Sequence, residues 1–298
     1  MGREILLTLL ITMSGGLIVQ LLAGWPAGVR AGADPAARER QAWIGLCRPV
    51  VPVLVMVAWL IGWALREPDP VRDPLNPAVL VCLSLPFGVL FARAGVRAIW
   101  ALMRELPECG VSTCGFLQPQ VVFSPFLARQ LEEPVIRAAL AHERAHARHR
   151  DPLRIWLAQL ITDLQWPWPQ ARRRLGVWLE ALEWARDEEA RRTGVEGSDL
   201  AAAVLASVRF LGALSGPQRA ALSGTQVAHA RLIGDGQALR RRVARLLTPL
   251  RALEPARRPR APALLVQAAV WIPLLLAVLW LGIVYGAPVM RPLLGLTA

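Results

Sequence analysis

Lysine is absent from this 298-residue sequence, and histidine and tyrosine are scarce, with four copies and one copy. Every one of the 34 basic residues is therefore an arginine, and the formal net charge is +12. A basic balance of this size is typical of proteins that bind nucleic acid or an acidic membrane surface. The apolar runs of the sequence favour the membrane, so we predict a lipid bilayer as a partner and no direct binding of nucleic acid.

Cysteine is also scarce, with four copies at Cys47, Cys82, Cys109 and Cys114. They lack the paired spacing of zinc-binding cysteines, and two of them lie in or beside apolar runs, which disfavours a disulfide scaffold. Cys109 and Cys114 are close enough in sequence to bridge. We expect their segment in the reducing cytoplasm, however, and therefore predict structural thiols.

Long apolar runs are abundant: 54% of the residues are hydrophobic, and uncharged runs cover residues 5–29, 49–65, 74–92 and 261–290. Each run is interpreted as a transmembrane helix because its length matches a bilayer. Arginines near the ends of the runs place the intervening segments 30–48 and 93–262 in the cytoplasm and both termini outside. We therefore predict a mainly α, multi-pass protein of the cell (inner) membrane with four transmembrane helices.

The predicted organisation is a three-span region at 1–103, a cytoplasmic α+β domain at 104–262, and a fourth transmembrane helix with a short external tail at 263–298. Residues 30–48 contain glycine, alanine and proline among their arginines and are predicted to be a linker. Two alternatives stay open. A signal peptide cleaved near Ala31-Gly32-Ala33 would remove the first run, and any run could instead be a buried core helix.

One short motif in the cytoplasmic domain carries chemistry, namely His142-Glu143-Arg144-Ala145-His146. In a helix, His142 and His146 lie one turn apart on one face, where both imidazoles can bind a single metal ion. Glu143 lies beside them and can act as the general base for a metal-bound water. This is the H-E-x-x-H pattern of zinc hydrolases, so zinc is the predicted cofactor and Glu143 the predicted catalytic residue.

A catalytic zinc site usually has a third protein ligand and one position open to water. Residues 170–192 are predicted to form a helix that carries Glu180, Glu183 and Asp187. Glu183 and Asp187 lie one turn apart on the same helix face, which makes this helix a candidate source of the ligand. A solvated acidic face is the alternative interpretation.

The other predicted elements of the domain surround this motif. Two β-prone segments at 111–116 and 121–124 predict a hairpin, whose edge could bind an extended peptide or be purely structural. A group of arginines near the end of the domain is interpreted as a solvated or lipid-facing cationic surface: Arg240, Arg241, Arg242 and Arg245. Helices are predicted at 135–150, 153–165, 170–192, 199–214 and 237–247.

The order of three spans, a β segment, His142-Glu143-x-x-His146, Glu183-x-x-x-Asp187 and a fourth span resembles the BlaR/MecR-type membrane metallopeptidases. The resemblance covers most of the chain. It implies a zincin-like (gluzincin) domain in which Glu183 is the third zinc ligand and Asp187 an outer carboxylate that orients a ligand histidine. It also implies a zinc endopeptidase that cleaves a protein or peptide, such as a BlaI/MecI-type repressor, in regulatory proteolysis and signal transduction.

The sequence departs from this family in two ways. Arg144 stands where the family more often has an aliphatic residue, which we interpret as a surface variation. The chain also ends soon after the fourth run, so we expect no extracellular penicillin-binding sensor domain and assign no β-lactam sensing.

Two other functions remain open, namely an HtpX-like quality-control protease and a non-catalytic signalling or scaffold protein. Of the other histidines, His149 is displaced from the ligand face and is predicted to be structural or exposed, as is His229. The only tyrosine, Tyr285, lies in the fourth run and is a poor candidate for stabilising an oxyanion, which leaves His229 or an arginine as weak candidates. The sequence predicts no oligomeric state.

Overall fold

The computed structural model describes residues 34–66, 89–90, 92–101, 103, 111–124, 129–166, 168–213, 236–249 and 263–293. The chain divides into two compact units. One unit combines residues 1–27, 47–93 and 256–298, and the other combines residues 28–46 and 94–255. The predicted metal-binding motif belongs to the second unit.

The described residues of the first unit include helices α2 (Val51–Arg66) and α8 (Ala263–Leu293). Helix α1 (Pro35–Cys47) precedes them in the chain and belongs to the second unit. Helices α2 and α8 pack together through glycines whose missing side chains allow the backbones to approach closely. A Cβ on Gly62 would overlap the backbone carbonyl of Leu279, and a Cβ on Gly282 would overlap that of Trp59. These glycines therefore set the separation of the two helices.

None of the helices in the described part of the chain combines enough length with enough apolar character to cross a membrane. Helix α2 has 16 residues. At about 1.5 Å per residue it is about 24 Å long, less than a hydrocarbon core of about 30 Å. The predicted first and third spans, 5–29 and 74–92, lie wholly or almost wholly outside the described residues.

The prediction of a membrane protein with four transmembrane helices is therefore wrong, and so is the predicted multi-pass location in the cell membrane. The second unit is also less mixed than an α+β domain. Among its described residues it contains one two-stranded sheet beside six helices with defined bounds and a further helical stretch at 94–101. An apolar run of this length predicts an apolar helix, but it does not by itself establish a transmembrane span.

The sheet is an antiparallel hairpin of β1 (Val111–Cys114) and β2 (Gln120–Phe123), as predicted. Val111 pairs with Phe123, and Cys114 with Gln120. Gly115 makes the turn possible because its φ of +91° is a backbone conformation that other residues rarely adopt.

The helices of the second unit agree closely with those predicted for 135–247. Pro134 stands in the first turn of α3, and Pro152 in the first turn of α4, where a missing N–H costs nothing. The bounds are α3 (Glu133–Arg148), α4 (Asp151–Leu164), α5 (Pro169–Arg191), α6 (Gly197–Ala213) and α7 (Gly236–Leu247).

Residues 35–47, predicted as part of a linker, instead form helix α1 (Pro35–Cys47). Its buried residues follow helical spacing: Glu39, Ala42, Trp43 and Leu46. Trp43 packs on Trp178 of α5, with ring centroids 4.9 Å apart. The linker prediction was wrong because the alanines and arginines of this segment were interpreted by composition, whereas a single apolar face decided its structure.

Helices α3, α5, α6 and α7 share an apolar core of small residues and leucines. Leu200 of α6 and Leu246 of α7 are almost completely buried in it. Gly197 begins α6 at a point where a Cβ would overlap the backbone carbonyl of Leu246. This close approach fixes α7 against the rest of the unit.

Candidate metal centre

The buried face of α3 presents the motif residues to the interior of the unit. His142, Glu143 and His146 are all buried, together with Ala138 and Ala145. This face follows the i, i+3, i+4 spacing that brings helical side chains into one row. The alanines leave room around the imidazoles, so the polar side chains have space to meet groups from other helices.

Glu183 of α5 completes a cluster with the two histidines. One ligand atom from each of the three side chains can be chosen so that all lie within 4.8 Å of one another. The two Nε2 atoms of His142 and His146 are 3.1 Å apart. The carboxylate oxygens of Glu183 lie 3.3 Å from His142 Nε2 and 3.8 Å from His146 Nε2. The structure thus brings together the three predicted ligands.

Each ligand histidine faces a carboxylate through its second ring nitrogen. Nδ1 of His142 lies 3.0 Å from Oδ1 of Asp187, and Nδ1 of His146 lies 2.9 Å from Oδ2 of Asp151. A carboxylate at Nδ1 favours the tautomer whose Nε2 lone pair is available to a metal ion. Asp187 has the position predicted for it, whereas Asp151 was not among the predicted site residues.

Arg242 of α7 supplies positive charge to the cluster. It donates hydrogen bonds from Nε to Asp187 Oδ2 at 2.7 Å and from Nη2 to Asp187 Oδ1 at 2.8 Å. Its Nη1 lies 2.9 Å from Oε2 of Glu183. Burial alone would raise the pKa of Asp187, but the charge and hydrogen bonds of Arg242 hold that pKa well below its ordinary value.

Asp151 lies between two further arginines. Arg186 donates to both oxygens of Asp151, at 2.5 and 3.0 Å, and Arg154 donates to Oδ1 at 3.0 Å. Asp151 is 0% exposed, and burial alone would raise the pKa of its carboxyl; Arg186, His146 and Arg154 instead hold that pKa well below its ordinary value. The group facing His146 is therefore an ionised carboxylate.

The same balance makes His142 strongly basic. Burial alone would lower the pKa of its imidazole, but hydrogen bonding and charge from Asp187 and Glu183 raise that pKa from 6.5 to about 10. His142 consequently carries a proton at neutral pH, and a metal ion that binds to it must displace this proton.

Glu143 is held by the hairpin. The hydroxyl of Thr113 on β1 lies 2.7 Å from Glu143 Oε2 and 2.8 Å from the backbone carbonyl of the same residue. Both side chains are buried. Thr113 therefore fixes the direction of the Glu143 carboxylate relative to the two histidines.

The donor set fits zinc. Two ligand atoms bound at about 2.0–2.1 Å from a tetrahedral ion lie about 3.3 Å apart. The separations of 3.1, 3.3 and 3.8 Å among His142, His146 and Glu183 are close to this value. Two imidazole nitrogens and one carboxylate oxygen also form the ligand set of several zinc peptidases.

The prediction that Arg242 lies on a solvated or lipid-facing surface is wrong. Arg242 is buried with Ala238 and Leu246 on the inner face of α7. These residues are spaced by four, which marks one helix face, and an arginine on an otherwise apolar face indicates a buried ion pair. Arg245 of the same group contacts Glu188 at 3.2 Å, and Arg241 contacts Glu180 at 3.2 Å.

The remaining candidate residues lie away from the cluster or outside the described residues. His149 is 45% exposed and pairs with Glu189 at 2.9 Å, as expected for a histidine displaced from the ligand face. His229 and Cys109 fall outside the described residues. Cys114 is a buried free thiol whose pKa is raised by burial, which agrees with a structural role.

Comparison of the chain with protein-family models, with curated proteins and with solved structures found no match. The arguments for function consequently rest on the geometry of the cluster and on the sequence motifs.

Proposed function

We propose that this protein is a zinc-dependent peptide hydrolase whose metal ligands are His142, His146 and Glu183. The convergence of these three side chains within 4.8 Å is the observation that supports the proposal most strongly. Each imidazole also has a carboxylate behind it, as metal-binding histidines commonly do. A purely structural role would not require the possible ligand atoms of these three side chains to point toward one another.

A bound zinc ion would lower the pKa of a coordinated water toward neutrality and polarise the carbonyl to be cleaved. Glu143 would be the general base, which accepts a proton from the attacking water and passes it to the leaving amine. Thr113 holds its carboxylate in place through the 2.7 Å hydrogen bond. Asp187 and Asp151 hold the ligand imidazoles in position.

Arg242 is the best-placed described side chain to stabilise negative charge that develops during peptide cleavage. Its Nη2 lies 3.4 Å from Nε2 of His142, so the guanidinium reaches the position where the ligands converge. Buried donors directed at a developing charge are an effective source of catalysis. That the natural substrate is a protein such as a repressor is a prediction from the family resemblance.

The test uses the purified full chain with unfolded casein as substrate and measures bound zinc by elemental analysis. We expect one zinc per chain and metal-dependent cleavage in the wild type. Glu143→Gln should keep the zinc but lose activity by about 10²–10⁴-fold, the usual contribution of a general base. His146→Ala should lose the zinc as well.

The matched control for His146→Ala is His149→Ala, because His149 is on the same stretch of chain but is exposed. The control should keep both zinc and activity. Full cleavage by Glu143→Gln, or a wild type without tight zinc, would contradict the proposal.

A further inference from the structure

Glu39 is a buried acid of α1, separated from His142 by more than one hundred residues of sequence. Its Oε1 accepts a hydrogen bond from Nε1 of Trp178 at 2.9 Å and another from Nη2 of Arg154. An ionised side chain in the interior is costly unless it is paired. The partner on which Glu39 depends, Arg154, is itself part of the surroundings of the metal centre.

Arg154 connects Glu39 to Asp151. Its Nη1 donates to Oδ1 of Asp151 at 3.0 Å, while Nη2 contacts Glu39. The guanidinium also lies over the rings of Trp43 and Trp178, 5.2 and 5.5 Å from their centroids. The rings limit its movement, so the guanidinium has a fixed place between the two carboxylates.

Asp151 completes the connection through its 2.9 Å contact with His146 Nδ1. Arg186 Nε shares Oδ2 of this carboxylate with His146, while Arg154 binds Oδ1. Glu39 balances the charge of Arg154. Without that balance, Arg154 would bind Asp151 more strongly, which would weaken the contact of Asp151 with His146 and add net positive charge near the cation site.

We infer that Glu39 is a positioning residue of the metal site, which acts on His146 through Arg154 and Asp151. The inference rests on the proposed metal-binding function and extends it to α1. Helix α1 thereby contributes to metal affinity even though none of its residues belongs to the ligand cluster. A displacement of α1 would weaken the binding of the metal.

The test is a titration of the metal-free full chain with Co²⁺, followed by the visible d–d absorption of the bound ion, with Tm recorded for each variant. Glu39→Gln keeps the shape of the side chain and removes its charge. We expect it to raise the Kd for Co²⁺ by about 3–10-fold, less than the 10–100-fold typical of residues that contact a ligand directly.

Glu188→Gln is the matched control, because Glu188 is also a buried acid but pairs with Arg245 and Arg192 and not with Arg154. We expect a lower Tm with an unchanged Kd. In an Arg154→Met background, Glu39→Gln should cause no further increase of Kd, because the connecting guanidinium is gone.

The inference is overturned if Glu39→Gln binds Co²⁺ as tightly as the wild type, or if the control Glu188→Gln raises the Kd equally. If Glu39→Gln does not fold, Arg154→Lys replaces it, since a single ammonium cannot reproduce the two-sided contact, and an unchanged Kd then overturns the inference. A wild type that binds no Co²⁺ would overturn the proposed function and this inference with it, so the two failures are distinguishable.

Discussion

Arg242 forms a two-point ion pair with Asp187 across 55 residues of sequence, with donor–acceptor distances of 2.7 and 2.8 Å. This pair joins α7 to α5 directly behind His142. Fork-shaped pairing of guanidinium with carboxylate is both strong and directional. It therefore determines the orientation of the carboxylate that faces the imidazole.

Arg242→Met should destabilise the metal-free protein by about 3–5 kcal/mol, because it leaves the carboxylates of Asp187 and Glu183 buried without their counter-charge. Saturating zinc should recover part of this loss, since the ion neutralises the same carboxylates. Urea unfolding with and without zinc measures both effects. Arg241→Met is the control: Arg241 is half-exposed, and its pair with Glu180 should contribute less than about 1 kcal/mol. Equal losses for the two variants would contradict the buried ion pair.

Asp187→Asn should weaken zinc binding by about 10–100-fold, because an amide holds the Nδ1 side of His142 less well than a carboxylate does. Competition with a chromophoric chelator gives the affinity. Glu180→Gln removes a charge from the same helix without contacting a ligand histidine and should leave the affinity nearly unchanged. An affinity of Asp187→Asn within a factor of two of the wild type would exclude an orienting role for Asp187.

Zinc binding should release at least one proton per chain between pH 7 and the pKa of about 10 at His142. In this range the apparent Kd should rise about tenfold for each unit by which the pH is lowered. Calorimetry in two buffers of different ionisation enthalpy counts the protons. A binding enthalpy that is the same in both buffers at pH 8 would show that His142 is already neutral.

The same pKa has a consequence for the metal-free fold. Since the folded-state pKa of His142 is raised from 6.5 to about 10, its contribution to stability is full below pH 6.5 and disappears as the pH rises toward 10. The free energy of unfolding should therefore decrease over this window. His142→Gln should reduce that decrease, and an identical pH profile for both proteins would contradict the assignment.

Thr113→Val should lower kcat by about tenfold while zinc content stays the same. The isosteric change removes the hydrogen bond that directs the Glu143 carboxylate, and about 1.4 kcal/mol of lost orientation corresponds to one order of magnitude. Steady-state cleavage of a fluorogenic peptide measures this change. Ser112→Ala on the same strand, where the hydroxyl contacts Cys114 Sγ, serves as the control. A Thr113→Val enzyme with unchanged kcat would show that the hairpin does not align the base.

The sequence was informative where local patterns determine structure. Prolines, apolar periodicity and turn residues predicted the hairpin and the five helices α3 to α7. The H-E-x-x-H spacing identified the two histidines that converge, and the family resemblance added Glu183. The errors concern long-range partners. Arg242 and Asp151 were considered by residue type alone, since a one-dimensional pattern does not show which carboxylate will meet which guanidinium.

The membrane prediction failed for a related physical reason. An apolar run of sufficient length predicts an apolar helix, but it does not identify what the helix packs against. Gly62 and Gly282 let α2 and α8 approach closely, while apolar side chains such as Leu65 and Trp280 remain exposed. Helix α1 was missed because its four buried positions include Glu39, which interrupts the hydrophobic pattern.

The turn between α3 and α4 fixes the number of residues that can separate His146 from Asp151. Arg150 adopts a left-handed conformation, with φ 52°, and thereby directs the chain back so that Asp151 faces His146. One residue more or fewer in this turn would point the carboxylate away from the imidazole. The pattern H-E-x-x-H followed by four residues and an aspartate is thus a length-restricted signature, which can be used to search other sequences for the same arrangement.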